Sequence, residues 1–196
     1  MAVLGTENRK GIIWLASYPR SGNTWMRAFL HSLAAVMRDP DVGEIDINAI
    51  EEGSVVENAA ALFPRFLNKP VPLATTAEIA AARPWVQAAL VESAGRAIYV
   101  KTHNARALDH GAPLVNMGVS LGAVYLVRNP LDVAISYAHL SGVDVDTMIT
   151  NMATPGFGIG RSVANGLERV HVVLGSWSEN VGSWTEPAHP AVLVLR

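Results

Sequence analysis

The sequence predicts an α/β fold, a parallel sheet flanked by helices. Two observations carry this. Four short apolar runs, at residues 12–16, 97–100, 123–127 and 191–195, have the length and composition of buried strands. Between them lie stretches whose apolar residues recur three or four apart, as on one face of a helix. Strands alternating with helices imply βαβ units and a parallel sheet. At 196 residues, half of them hydrophobic, the chain fits a single domain over 1–196 with a substantial core.

Residues 1 to 10 read as a tail. Ile12-Ile13-Trp14-Leu15-Ala16 is the first strand, and Met26, Phe29, Leu30, Leu33 and Met37 mark the helix after it, which ends before Pro40. Signals weaken from Asp39 to Pro72: Val55 to Phe63 reads as a short helix, and Pro64, Pro70 and Pro72 break the stretch beyond it. An Ala-rich helix runs from Thr76 to about Ser93, kinked or split at Pro84 and ended by Gly95. Its apolar face serves either a pocket for a greasy acceptor or the core.

Ala97 to Val100 is the second strand, running into Lys101-Thr102-His103. Residues Asn104 to Gly122 read as loop and short helix. Ala123 to Val127 is the third strand and delivers Arg128. Asn129-Pro130-Leu131-Asp132 then has the residues of a helix start, with Asn as cap and Pro in the first turn. Ser141 to Ser162, rich in Gly, Thr and Asp, reads as a long loop suited to a lid. Asp144 and Asp146 within it read as a solvated turn rather than a metal site. Leu167, Val170, Leu174, Trp177, Val181 and Trp184 have the spacing of one helical stripe, and Ala191 to Leu195 is the fourth strand.

Composition excludes several classes. A net charge of −2 argues against a general nucleic-acid or anionic-membrane binder. The absence of Cys excludes disulfides, thiolate metal sites and a Cys nucleophile, and suits a reducing cytoplasm. No apolar run approaches the ~20 residues that span a bilayer. The expectation is a cytoplasmic protein with no membrane or nucleic-acid partner and no metal.

Chemistry concentrates at three strand ends. Between the first strand and helix lies Ser17-Tyr18-Pro19-Arg20-Ser21-Gly22-Asn23-Thr24-Trp25. The first N–H groups of a helix lack internal partners and carry partial positive charge, so such a junction suits an anion. Gly22 lets backbone close on a phosphate, Ser21 and Thr24 add hydroxyls, and Arg20 adds a bidentate charge. The alternative is an ordinary junction with a Ser cap. The loop lacks the first Gly and the Lys of a Walker A. Lys101-Thr102-His103 and Arg128 end the next two strands, and ligands of open α/β sheets bind at such ends.

Tyr18 through Trp25 resembles the phosphosulfate loop of the cytosolic-type sulfotransferases that use 3′-phosphoadenosine 5′-phosphosulfate (PAPS). Arg128-Asn129-Pro130-Leu131-Asp132-Val133-Ala134-Ile135-Ser136-Tyr137 resembles their 3′-phosphate motif, and Lys101-Thr102-His103 the segment with their catalytic histidine. The resemblance implies a P-loop-like sulfotransferase fold and sulfuryl transfer from PAPS to a small-molecule hydroxyl or amine, with adenosine 3′,5′-bisphosphate as product. It implies His103 as base and Arg20 and Lys101 as stabilisers of charge. Arg20, Ser21, Gly22, Asn23, Thr24, Trp25, Arg128 and Ser136 would hold the nucleotide, with Trp25 either stacked on adenine or packed in the core. Arg20 and Asn23 stand where the family often has Lys and Thr. The family continues past the fourth strand with a basic segment over the 3′-phosphate, so the resemblance also implies a domain truncated after about that strand. A nucleotide-binding protein with little turnover is the alternative. A phosphotransferase or dinucleotide oxidoreductase would need a Walker-type Lys or a G-x-G-x-x-G that the chain lacks.

Overall fold

A computed structural model of the chain describes residues 9–46, 54–164, 166–186 and 188–196. The expected tail lies outside these up to residue 8. Five parallel strands form the central sheet: β1 (Gly11–Ser17), β2 (Val55–Val56), β3 (Ala97–Thr102), β4 (Ser120–Leu126) and β5 (Val192–Leu195), in the order β5-β4-β1-β3-β2. Four are the runs predicted from sequence. The fifth, β2, corrects the short helix expected from Val55: it pairs Val55 with Val100 and Val56 with Lys101, and a three-residue 3-10 turn (Ala60–Leu62) comes after it. Two residues carry no periodicity for sequence to register.

The central strand β1 is covered on both faces, which is why its sequence is continuously apolar. Ile12, Trp14 and Ala16 point into one layer with Val91 of α2 (Thr76–Ala94) and Trp184 of α5 (Trp177–Thr185). Leu15 and Ile13 point into the other, against Met26 and Leu30 of α1 (Asn23–Arg38). Tyr125 of β4 stacks on Trp184 at 5.7 Å and donates its hydroxyl to Asn180 at 2.7 Å. Gly122 lets β5 approach: a Cβ there would stand 2.6 Å from the carbonyl oxygen of Ala191.

Three expectations needed revision. Helix α2 runs through Pro84 as one element; its N-terminus is a capping box of Thr75 and Glu78, and Asn116 Nδ2 donates to the Pro84 carbonyl at 3.2 Å. The expected long loop from Ser141 to Ser162 contains helix α4 (Val145–Ala153), which comes after α3 (Pro130–Ser141). Asp144 caps α4 by accepting from the N–H of Thr147 at 2.8 Å, and Met148 and Met152, one turn apart, fill a core beside α3. The stripe from Leu167 to Trp184 is not one helix. Leu167–Arg169 pairs with Ser162–Ala164, Val172–Val173 pairs with Gly158–Ile159, and only α5 is helical, starting at a capping box of Ser176 and Glu179. Among the described residues no helix is long and apolar enough to cross a membrane.

The β2 edge is fixed by buried charge. Arg83 of α2 and Glu57, just after β2, are both almost fully buried and form an ion pair. Asn104 Nδ2 and Thr102 Oγ1 donate to the other carboxylate oxygen, and Arg83 also donates to the carbonyl of His171 at 2.7 Å. A buried charge stripped of its partner is strongly unfavourable, while replacing the pair by apolar side chains is often tolerated. Glu57→Ala is therefore expected to cost about 3–5 kcal/mol, lowering the melting temperature by about 6–20 °C. The double variant Glu57→Leu/Arg83→Met should recover most of that in the same thermal melt. A single variant that melts with the parent would show that the pair is not structural.

Candidate functional site

The sheet order places the site. The connection after β1 leads toward the β2–β3 side and the one after β4 toward the β5 side, so the chain diverges above adjacent carboxyl ends. Above those ends lies a cavity of about 430 Å³ bounded by Pro19, Arg20, Gly22, Asn23, Thr24, Trp25, Lys101, His103, Arg128 and Leu140. The three strand ends picked out in the sequence thus converge on one space.

The loop after β1 reaches this space by a left-handed turn. Arg20 has φ of 67° and Gly22 of 102°, the latter a region that strongly favours glycine. A Cβ on Gly22 would meet nothing within 4 Å, so the space above the backbone is open. Helix α1 begins here with no side-chain cap, whereas α2, α3, α4 and α5 are capped by Thr75, Asn129, Asp144 and Ser176. The Ser cap of the ordinary-junction alternative is absent. Ser21 Oγ is buried without a hydrogen-bond partner among the described residues. An uncapped helix start, an orphan hydroxyl and two arginines are what an anionic group requires.

Two side chains take places that sequence reasoning missed. Asn23 turns inward, donating Nδ2 to the Leu15 carbonyl at 2.8 Å and to Ser17 Oγ at 3.3 Å. Ser136 stands behind Arg20, accepting from its Nε at 2.9 Å. Arg128, between β4 and α3, donates to the Arg20 carbonyl at 3.1 Å, so the first loop is tied once to α3 and once to the residues leading into it. Trp25 is 83% exposed, which removes the core-packing alternative.

His103 is half-buried at the end of β3. Its Nδ1 lies 2.8 Å from the Ser17 carbonyl and 3.3 Å from Ser17 Oγ, and its own carbonyl accepts from Asn180 at 3.2 Å. A carbonyl only accepts, so Nδ1 carries the proton and Nε2 presents a lone pair. Burial, then the Lys101 ammonium, with a smaller push from Arg27, lower the imidazole pKa to about 3; the Ser17 carbonyl acts in the opposite direction.

A second cavity, of about 360 Å³, adjoins the first, and Thr24, Lys101 and His103 line both. Its remaining wall includes Arg27, Val56, Glu57, Asn58, Ile159, Ser162, Arg169, Val170 and Val172. None of α2 lines it: that Ala-rich helix packs in the core, with Ile79, Ala82 and Val86 against Phe63. Arg27 could have been suspected, being three residues from Thr24 on one helix face. Asn58 and Arg169 arrive through two- and three-residue strands with no sequence signal. Among the described residues no group of three His, Asp or Glu could hold a metal.

Because the folded-state pKa of His103 is depressed, its contribution to stability is complete above the unfolded value near 6.5 and is lost as pH falls toward about 3. Nitrogen-detected NMR of the free protein should find His103 neutral and protonated on Nδ1 at pH 5. A charged imidazole at that pH would overturn the assignment.

A sulfotransferase domain matches the chain over residues 10–195. No curated protein matches it by sequence. Among solved structures, retinol dehydratase in complex with retinol and PAP is 19% identical, with 95% of this chain and 54% of that one covered at a TM-score of 0.53. Mouse sulfotransferase SULT7A1 in complex with PAP is also 19% identical, with 95% and 50% covered at a TM-score of 0.43. The chain spans about half the length of these structures, and at 19% identity the likeness to retinol dehydratase is one of fold.

Proposed function

The chain belongs to the sulfotransferase domain family, and we propose that it moves a sulfuryl group from PAPS to a hydroxyl of a small acceptor, with His103 as general base. The observation that carries this reading is the common wall of Thr24, Lys101 and His103. A donor in the first cavity and an acceptor in the second meet at the imidazole.

The residues around the first cavity suit such a donor. The open backbone at Gly22, the N–H groups of Asn23 and Thr24, and Arg20 would hold the 5′-phosphosulfate end. Arg128 would take the 3′-phosphate, with Ser136 positioning Arg20 between the two, and the exposed Trp25 indole offers a face for adenine. Ser21 supplies its orphan hydroxyl.

In the transfer, the acceptor hydroxyl gives its proton to Nε2 of His103 as its oxygen bonds to sulfur. The bond from sulfur to the bridging phosphate oxygen breaks, and that electron pair leaves on adenosine 3′,5′-bisphosphate. Lys101 and Arg20 stabilise the charge that gathers on the bridging oxygen. Sidedness comes from Ser17, whose carbonyl holds Nδ1 so that Nε2 is the nitrogen available. An imidazole of such low pKa is a weak base. A polyanion beside Lys101 cancels the second cause of the depression, so binding the donor strengthens the base.

Calorimetric titration with adenosine 3′,5′-bisphosphate and with AMP tests the donor site. Arg128→Ala should weaken the bisphosphate by about 10–150-fold, the worth of a charge-assisted bond, with a far smaller effect on AMP; Ser136→Ala should act in the same direction more mildly. Equal losses for both ligands would remove the 3′-phosphate role. His103→Ala should cut transfer by about 10²–10⁴-fold while bisphosphate affinity stays within about threefold. Near-normal transfer in that variant would assign the base elsewhere. The His103 pKa should rise when bisphosphate binds, and a fall would contradict the proposed coupling to Lys101.

A further inference from the structure

We propose that Asn104 is a positioning residue for the base, pinning the chain on both sides of His103 together with Thr102 and Glu57; this rests on the sulfuryl-transfer reading and adds a residue to it. Asn104 is 1% exposed, and a polar side chain so deeply buried is costly unless its groups are paired. Each of its polar atoms has a partner. The N–H donates to Thr102 Oγ1 at 3.0 Å, and the carbonyl accepts from Trp184 Nε1 at 3.1 Å. Nδ2 donates to Glu57 Oε1, and Oδ1 accepts from the Val173 N–H at 2.8 Å. An apolar side chain could fill the same space but would make neither of the last two bonds.

These bonds shape the turn that carries the base. The pairing of β1 with β3 ends at Ala16 and Thr102, so from His103 onward the backbone is held by other means. By accepting from the Asn104 N–H, the Thr102 hydroxyl closes a short turn with His103 at its apex. The same hydroxyl donates to Glu57 Oε1 at 3.4 Å, the oxygen that Asn104 Nδ2 also reaches. One carboxylate oxygen thus grips the residue before His103 and the residue after it. Glu57 is itself fixed by Arg83, and Asn180 Nδ2 ties down the His103 carbonyl at 3.2 Å. What remains to the imidazole is rotation about its own side-chain bonds, and the Ser17 carbonyl at 2.8 Å from Nδ1 selects one setting. A buried polar network whose members are paired is rigid, and here it aims that last bond.

Asn104 also sets the base against the second cavity. Its Oδ1 takes the Val173 N–H, and the N–H of Ala105 donates to the Val173 carbonyl at 2.9 Å. Val173 pairs with Gly158, and the neighbouring Val172 and Ile159 line the second cavity. The residue after the base is therefore joined to a strand that forms part of the acceptor's wall. A shift of either would change the distance from Nε2 to an acceptor hydroxyl, and a misplacement of about 1 Å can cost about 10²-fold in rate.

Two variants test this. Asn104→Leu keeps the branching of the side chain and removes its bonds, and Thr102→Val opens the turn from its other end. Each is compared with the parent at a temperature where circular dichroism shows it folded. Nitrogen-detected NMR of the free protein reads the His103 tautomer, and transfer from PAPS to 4-nitrophenol reads the rate. The parent should carry the proton on Nδ1. Both variants should show a mixture of the two neutral tautomers, with kcat lower by about 10–10²-fold. KM and bisphosphate affinity should stay within about threefold of the parent. A purely structural role for Asn104 would leave the tautomer of the folded protein unchanged. A folded Asn104→Leu with the proton on Nδ1 as in the parent therefore overturns the proposal whatever its rate, and so does a tautomer mixture with unchanged kcat. Should Asn104→Leu not fold, Thr102→Val decides by the same two readings. Where the parent binds no bisphosphate and transfers nothing, sulfuryl transfer fails, and the tautomer alone decides whether Asn104 holds the imidazole.

Discussion

The side chain of Asn23 ties the first turn of α1 to the end of β1, and much of the site depends on that tie. Its Nδ2 satisfies the Leu15 carbonyl and reaches Ser17 Oγ. The N-cap position of α1 is Gly22, which has no side chain to offer, and with Asn23 turned inward the N–H groups of the first turn take no side-chain cap. Ser17 in turn holds Nδ1 of His103, which sets the tautomer of the proposed base. A single amide thus links the anion loop to the imidazole through one intervening residue. The threonine that the family often has in this place carries a shorter side chain with one hydroxyl, so the link is a property of the asparagine.

The opposite side of His103 is fixed differently, by buried charge. Glu57, Arg83, Asn104 and Thr102 join β2, α2 and the end of β3, and Asn180 of α5 ties down the His103 carbonyl. Such a cluster is a poor source of net stability, because desolvation offsets most of the attraction. Its value here is geometric. An apolar contact would tolerate sliding of β2 along β3, whereas a carboxylate with three directed partners does not. The arrangement also commits Glu57, the one acid among the described residues that line the second cavity.

The parts of the fold legible in sequence were those where one physical cause acted alone. Strands β1, β3 and β4 read as apolar runs because sheet strands beneath helices bury apolar side chains, whereas β5 is apolar although its Leu193 and Val194 are exposed. Arg20, His103 and Arg128 were legible because each comes directly after such a run. Misreadings came from short elements and from coincidence. The composition of Ser141 to Ser162 signalled loop, yet Asp144 as cap and Met148 with Met152 as a buried pair were already the marks of a helix. Leu167, Val170 and Leu174 matched a helical spacing while belonging to strands and turns, Leu167 exposed and the other two buried in different clusters. The capping box at Ser176 marks the real start of α5. Arg169, Asn58 and Glu57 reach the cavity only through tertiary packing, which no local pattern records.

A protein of net charge −2 is an unpromising receiver of a polyanion, and the placement of its charges resolves this. Charges separated by more than about 8 Å are largely screened at physiological salt, so a ligand feels its neighbours rather than the total. Arg20, Arg27, Lys101, Arg128 and Arg169 face the two cavities, a third of the 15 basic residues of the chain. Of the acids among the described residues, Glu57 is bound to Arg83, and Asp132 stands 4.0 Å from Arg128 at an exposed position where an ion pair is worth little. The positive potential is therefore concentrated where the strand ends meet. Its division between two adjoining cavities, with Lys101 common to both, places a charge in either one where it acts directly on the basicity of His103.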